Sequence, residues 1–467
     1  MGTWRCASSG AFRALVVALA FASGACTRFA ETTSPIDLRS VEVRFRTVTL
    51  ANGLRVVLNE DHHVPLVAVA VTYGVGTSDS PRDRPDLAHT FEHLMFQGSA
   101  HVAGQGHRQY LERAGAPRIG GVTEVDTTRC FETVLANQLE LVLWLESDRM
   151  GFLIEDIDQQ KLDRVRPVIE NEARQRGDNA TIGHLSRLLA AAFPEGHPYN
   201  NPSLELANNP AITVEDAKRF GRTYYRPNNA SLALSGDFDP ATAVAMVDRY
   251  FGSLPPGPRP VRRPVPVVSL TEEVRIDVAA SVPREEVLIA WPTPALGQPG
   301  DAELDIAART LQSGVLQSAL VNARSIALAV EARQHSLQRA GLFVIRIVLH
   351  PGRTAEAALK AVDEQLRIVR DLPADGILGV RGASEGMINH LLLGMQTLAG
   401  RADRLSQFDV LLRQPGYPWQ AIDRYDSVQT RHVRNAIVRY LHQSKRVTLV
   451  VHADASAPAG GRLVRRP

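Results

Sequence analysis

The stretch Tyr224-Tyr-Arg-Pro-Asn-Asn-Ala-Ser-Leu-Ala-Leu-Ser-Gly-Asp237 reads as the end of a helix, a polar turn, an alternating strand and a closing aspartate. A second stretch, Tyr440-Leu-His-Gln-Ser-Lys-Arg-Val-Thr-Leu-Val-Val-His-Ala-Asp454, repeats that order. Between them lies Leu254-Pro-Pro-Gly-Pro-Arg-Pro-Val-Arg-Arg-Pro-Val-Pro266, whose prolines exclude both a helix and a central strand. Matched endings on either side of a proline-rich connection predict a duplicated domain. The expected boundaries are 1–25 for a leader, 41–253 for a first domain, 254–267 for the linker and 268–455 for a related second domain.

Working outward, Val41 to Leu50 alternates as a strand, Ala51-Asn-Gly53 supplies a turn, and Leu54 to Leu58 returns as its hairpin partner. Leu66 to Tyr73 follows Pro65 and is nearly all apolar, which predicts a central strand. Apolar residues at three- and four-residue spacing predict helices over Leu87 to Phe96, Leu139 to Met150 and Gln159 to Arg176. After the linker the pattern restarts, with strands near Val274 to Asp277 and Glu286 to Ala290. A helix from about Ala302 and a strand at Leu342 to Leu349 follow, then further helices. Strands and helices in separate runs predict an α+β class: two related domains, each an antiparallel sheet packed with helices.

A chain of 467 residues exceeds one ordinary core, and 44% apolar with 22% charged residues is a globular composition. Lys plus Arg (52) nearly balances Asp plus Glu (50), so charge gives no case for nucleic acid or an anionic membrane as partner. The start is a separate object. Arg5 and Arg13 precede the apolar run Ala14 to Ala22 and the small-residue exit Ser23-Gly-Ala-Cys26. That run is too short to span a bilayer and predicts a signal peptide. Cys26 stands where a bacterial lipoprotein carries its lipidated cysteine, although Ser23 replaces the usual leucine; simple cleavage is the alternative. The expectation is an exported protein, periplasmic or lipid-anchored to the bacterial envelope. With the leader gone only Cys26 and Cys130 remain, which is no disulfide framework.

The chemistry is concentrated in Leu87-Ala-His-Thr-Phe-Glu-His-Leu-Met-Phe96. On a helix, His89 and His93 lie one turn apart on one face and can converge on a single metal ion. Glu92 sits beside them, able to touch a water on the metal without ligating. Zinc lowers the pKa of such a water to about 7, and a carboxylate can then take its proton as it attacks a carbonyl. The order H-x-x-E-H is that of the inverted zincins. The bland reading is two ordinary histidines and a surface glutamate, but Leu87, Phe91, Leu94 and Met95 surround the triplet with apolar side chains.

A third ligand is expected from Leu162-Asp-Arg-Val-Arg-Pro-Val-Ile-Glu-Asn-Glu-Ala-Arg174. Helical spacing puts Glu172 on the face of Val165, Val168 and Ile169 and turns Glu170 away, so Glu172 is the inward carboxylate. Its bland reading is an ion pair with Arg176. Two other patches take plain readings: His62-His63 as solvated surface and Met95-Phe96 as core.

These blocks resemble the pitrilysin/insulinase-type zinc metallopeptidases, in particular the short processing-peptidase-like bacterial branch. The likeness is carried by Asn52 to Leu58, Tyr73-Gly-Val-Gly-Thr77, His89 to Ser99, Leu143-Trp-Leu-Glu-Ser-Asp-Arg-Met-Gly151, Gly196-His-Pro-Tyr199 and Tyr225 to Asp237, in family order. The resemblance implies two α+β domains forming half of a closed peptidase chamber, completed by a homologous subunit in a homodimer or heterodimer. It implies Zn2+ held by His89, His93 and Glu172, with Glu92 as catalytic base, and unfolded or short peptides as substrates.

Three departures stand out. Gly120-Gly-Val-Thr-Glu-Val-Asp126 is about four residues shorter than the family's substrate-binding edge strand and lacks its asparagine, and Cys130 replaces an aromatic residue. Pro167 falls inside the helix of Glu172, where it kinks that helix or marks its first turn, and Val165 stands where some relatives have a supporting glutamate. The segment Leu311-Gln-Ser-Gly-Val-Leu-Gln317 lacks the family's substrate-contacting Arg/Tyr pair. The leading reading is an active zinc endopeptidase subunit, the Arg/Tyr pair coming from a partner. The alternative is a non-catalytic zinc-binding or assembly subunit of a heterodimeric peptidase.

Overall fold

The computed structural model describes residues 43–464 apart from 179, 202–211, 259, 261–264, 266–267, 269, 374–378 and 458–460, and leaves out the side chains of 173–183. The leader, Cys26, much of the linker and the Arg176 side chain therefore lie outside the described residues.

The first half runs β1 (Arg46–Thr49), β2 (Arg55–Glu60), β3 (Leu66–Tyr73), α1 (Leu87–Leu94), α2 (Gly106–Arg113), β4 (Arg118–Thr123), β5 (Thr128–Leu135), α3 (Leu139–Asp156), α4 (Gln159–Asp178), α5 (Ala180–Ala192), α6 (Val214–Tyr224), β6 (Ala230–Gly236) and α7 (Pro240–Phe251). The second half runs β7 (Val274–Ala280), β8 (Glu286–Thr293), α8 (Asp301–Thr310), a π-helical continuation Leu311–Ala323, β9 (Ala327–His335), β10 (Gly341–Leu349), α9 (Ala355–Asp371), α10 (Val380–Gly394), α11 (Leu398–Leu412), α12 (Tyr417–Asp426), α13 (Thr430–Tyr440), β11 (Val447–Ala453) and β12 (Arg462–Leu463).

Two six-stranded sheets result, ordered β1-β2-β6-β3-β5-β4 and β12-β7-β11-β8-β10-β9. Five strands correspond one to one, while the sixth differs: β1 precedes β2 in the first half, and β12 closes the second half beside β7. Strand β3 is central as its apolar run predicts. Each sheet is antiparallel except for one parallel pair, β2 with β6 and β7 with β11. The sequence expectation of antiparallel sheets is thus refined to mixed ones. The cause is topological: the returning strand of each half arrives after a long helical crossover, which admits a parallel neighbour where a tight turn does not.

Alternation on the central strands divides large from small side chains. Val67, Val69, Val71, Leu232 and Leu234 face the main core with Leu87, Phe91 and Leu94 of α1 and Val142, Leu143 and Leu145 of α3. Ala68, Ala70 and Ala233 face the other way, and their small surface lets Ala402 and Leu405 of α11 pack close. A helix of the second half thus covers the first sheet. Reciprocally, Leu188, Leu189 and Ala192 of α5 join the core of the second sheet with Leu288, Leu342 and Leu449.

The α11 contact is also polar. Asp409, fully buried, receives Arg55 through both carboxylate oxygens at 2.6–2.9 Å. Asp403 does the same for Arg129 at 3.0 Å, and Thr72 Oγ1 meets Ser406 Oγ at 2.7 Å. Bidentate guanidinium–carboxylate bonds fix orientation as well as proximity, so α11 is held in one register on the sheet.

Candidate metal centre

Helix α1 is set by its apolar stripe. Phe91 is fully buried and stacks on Tyr225 at 4.0 Å, while Ser80 Oγ accepts the Ala88 N–H at 3.0 Å near the helix start. Gly221 of α6 makes room for the Phe91 ring, since a Cβ there would sit 2.7 Å from it. With Leu87, Phe91 and Leu94 turned into the core, His89 and His93 are left facing α4.

Helix α4 answers with one stripe. Leu162 and Val165 are buried, Ile169 and Glu172 are half-buried, and Glu170 is exposed. Val168, which the sequence reading put on the inward side, is 47% exposed, so the stripe is narrower than expected. Pro167 lies in the helix interior rather than its first turn, and α4 continues through it to Asp178.

The three predicted ligand side chains come together. His89 Nε2 lies 3.2 Å from His93 Nε2, and the Glu172 carboxylate lies 3.2 Å from His89 Nε2 and 3.5 Å from His93 Nε2. Among the described residues they form the one group of three or more histidine, cysteine or acidic side chains arranged to hold a metal ion. A tetrahedral zinc ion with bonds of about 2.0–2.2 Å requires donor separations of about 3.3–3.6 Å. The observed spacings lie close to that edge length, with one carboxylate oxygen of Glu172 toward each histidine, and two imidazole nitrogens facing a carboxylate are a donor set suited to zinc.

Glu92, next to His93 in sequence, faces the sheet edge. Strand β4 ends the first sheet, and its Gly121 faces α1; a Cβ there would stand 3.1 Å from Glu92 Oε1 and 2.9 Å from the Phe96 ring. The preceding Gly120 lies under Phe131 in the same way. Gly121 therefore lets the edge strand approach the carboxylate closely, while Gly120, on the opposite face, makes room for the Phe131 ring.

Beneath Phe96 the sequence reading missed a buried charge cluster. The Arg149 guanidinium stands 4.8 Å from the Phe96 ring centroid and pairs with Glu146 at 2.8 Å, both side chains about 1% exposed. Glu132 is buried beside them, and burial raises the pKa of both carboxyls. The signal available was Glu146 and Arg149 within an otherwise apolar helix. Cys130 is also fully buried, its thiol pushed up by burial, so it is core. His62 and His63 stay on the surface, paired with Glu60, Asp237 and Asp61.

Comparison with known proteins bears on the family and the fold. The family described as insulinase (peptidase family M16) matches residues 55–204, and the peptidase M16 inactive domain matches residues 211–375. The chain is 28% identical over 332 residues to the zinc protease PqqE of Helicobacter pylori, covering 68% of this chain and 73% of that one. It is 24% identical over 418 residues to an uncharacterized zinc protease of Mycobacterium bovis, covering 87% and 93%. Among solved structures, a protease from Helicobacter pylori superposes with a TM-score of 0.78 at 22% identity, covering 88% of this chain and 99% of that one. With both halves matched, the corresponding sheets in place and a metal-type cluster on α1 and α4, the chain belongs to the insulinase family of peptidases, M16.

Proposed function

We propose that this chain is the metal-bearing subunit of a zinc-dependent endopeptidase that hydrolyses unfolded or short peptides. In this reading His89, His93 and Glu172 hold Zn2+, and Glu92 is the general base. The observation that carries it is the spacing of the three donor groups, with Glu92 adjacent under an open sheet edge. Zinc held there would lower the pKa of a bound water and polarise a peptide carbonyl. The protein's own residues do the rest. Glu92 takes the proton from the attacking water and returns it to the departing amine. The outer edge of β4 offers unpaired backbone groups on which an extended peptide can add as a strand beside Glu92.

The subunit works with a homologous partner, as a homodimer or heterodimer, that completes the chamber. The π-helical segment Leu311–Ala323 contains neither arginine nor tyrosine, so substrate contacts of that kind must come from elsewhere. The same observation favours the second reading, a non-catalytic zinc-binding or assembly subunit. We further propose export by the leader at 1–25 to the periplasm, with or without a lipid anchor at Cys26.

The test is zinc stoichiometry together with cleavage of a mixed peptide library, with and without a co-expressed homologue. Glu92→Gln should keep zinc while lowering turnover on the order of 10³-fold. Undiminished cleavage would remove Glu92 from its role, and zinc binding without cleavage under any pairing would favour the assembly subunit.

A further inference from the structure

The hairpin that ends in β4 is shorter than the family pattern, yet its turn is tied down more firmly than an exposed β-turn requires. The turn Glu124–Thr127 is closed by Glu124 N–H donating to Thr127 O at 2.8 Å. On one side it lies against the segment leading to α1. Thr77 N–H donates to Glu124 O at 2.9 Å and Ser78 N–H to Val125 O at 3.0 Å. A Cβ on Gly76 would collide with both of those carbonyls, so the two segments touch backbone to backbone.

On the other side the turn is gripped by the second half and by Tyr199, which packs in the core of the second sheet. Asp126 is buried, and its carboxylate accepts the Gln338 N–H at 2.8 Å and the Tyr199 Oη–H at 2.9 Å. Tyr199 Oη in turn accepts the Arg339 N–H at 2.9 Å. Gln338 and Arg339 belong to the loop between β9 and β10. Gln407 of α11 donates to Glu124 at 2.9 Å. A buried carboxylate is costly unless its hydrogen bonds are satisfied; here Gln338 and Tyr199 satisfy Asp126, and with Gln407 three groups from three distant segments converge on one turn.

We propose that Asp126 and Tyr199 are positioning residues for substrate: they clamp the shortened β4–β5 hairpin to the second half and so hold edge strand β4 at the distance from Glu92 at which an extended peptide can pair with it. This rests on the reading of β4 as the substrate strand. Pairing by strand addition needs a rigid template, because each added backbone bond is weak and a template that frays loses several at once. The shortened hairpin gives up turn residues of its own and takes its rigidity from the neighbouring domain. Neither residue touches the ligand cluster, so the clamp should act on peptide affinity and leave metal content alone.

Four proteins decide it: wild type, Tyr199→Phe, Asp126→Ala and Asp126→Asn. Each is assayed for zinc content, for KM and kcat on a cleaved peptide, and for amide exchange over residues 118–135. Peptide affinity is measured separately by fluorescence anisotropy on each variant combined with Glu92→Gln. Tyr199→Phe and Asp126→Ala should raise KM and Kd about five- to tenfold, with kcat within about twofold and zinc unchanged, and should speed exchange in the hairpin. Asp126→Asn, whose amide oxygen still accepts from Gln338 and Tyr199, should stay close to wild type. Faster hairpin exchange with unchanged Kd would overturn the inference, as would equal loss in the Asn and Ala variants. If wild type binds no peptide while the exchange pattern behaves as expected, the strand-pairing reading fails, and the substrate role of the clamp with it.

Discussion

The two sheets share the order of five strands, a parallel pair in the same place and a helix lent by the opposite half, yet their corresponding corners hold different chemistry. In the first, α1 and α4 bring two imidazoles and a carboxylate to a common point. In the second, α8 follows the central strand β8 as α1 follows β3, and it meets α10, but it carries no histidine. Asp305 of α8 is tied to Tyr425 Oη at 2.6 Å, and burial beside Asp301 raises its pKa. Arg309 lies over Gly386 of α10. The scaffold alone does not make a site; a few side chains on one helix pair do. The second half instead contributes support: α11 across the back of the first sheet and the loop at Gln338 under its edge hairpin.

The most damaging way to test that division is to empty each corner in turn. His89→Ala should remove a ligand, release zinc and lower peptide cleavage by at least about 10³-fold. Arg309→Ala should leave zinc content and turnover within about twofold and shift stability by about 0.5 kcal/mol at most, since the side chain is exposed. Metal analysis and kinetics on the two purified proteins give the answer. If Arg309→Ala inactivates the enzyme while folded and zinc-loaded, the second corner is functional and the division is wrong.

A finer cut separates two glutamates on α4. Glu172→Ala should weaken zinc retention on the order of 10²-fold or more, beyond the effect of losing an outer-sphere partner, whereas Glu170→Ala should not change it. Competition with a chelator measures both, and the reverse order would move the ligand to the outer face of the helix.

Much of this is legible in the sequence. Periodicity locates β2, β3, β6 and α1, and helical spacing turns Glu172 rather than Glu170 toward α1, because each signal is local and strong. Strand β9 went unread: Ala327-Leu-Ala-Val-Glu-Ala-Arg-Gln-His335 is alanine-rich with weak strand preference, and it is a strand because β10 pairs with it residue by residue. The placement of α11 on the first sheet was equally hidden. Its sequence mixes apolar and charged residues without a clear stripe, and the partners Arg55, Thr72 and Arg129 lie hundreds of residues away. The alanines on β3 and β6 were the sole local hint that something packs close to that face.

The smallest effect on activity is expected from Asp126→Asn, and its value lies in pH. Burial, opposed by the bonds from Gln338 and Tyr199, pushes the Asp126 carboxyl up from 3.8 to about 6; Arg339 opposes the rise and Asp79 adds to it. The folded chain therefore binds more protons here than the unfolded chain between about pH 4 and 6. Stability falls as pH rises through that window, and the loss is complete above it. Once ionised, a carboxyl so displaced costs folding at most about 3 kcal/mol. Tyr199 stays neutral throughout, since burial raises it further. Asparagine keeps the acceptor and has no proton to lose. Urea unfolding should thus find Asp126→Asn more stable than wild type at pH 7.5 and nearly equal at pH 4, while KM at pH 7.5 is unchanged. A wild type favoured at pH 7.5 would mean that the charge itself holds the hairpin, through Arg339, and that the clamp is an ion pair rather than a hydrogen-bonded tether.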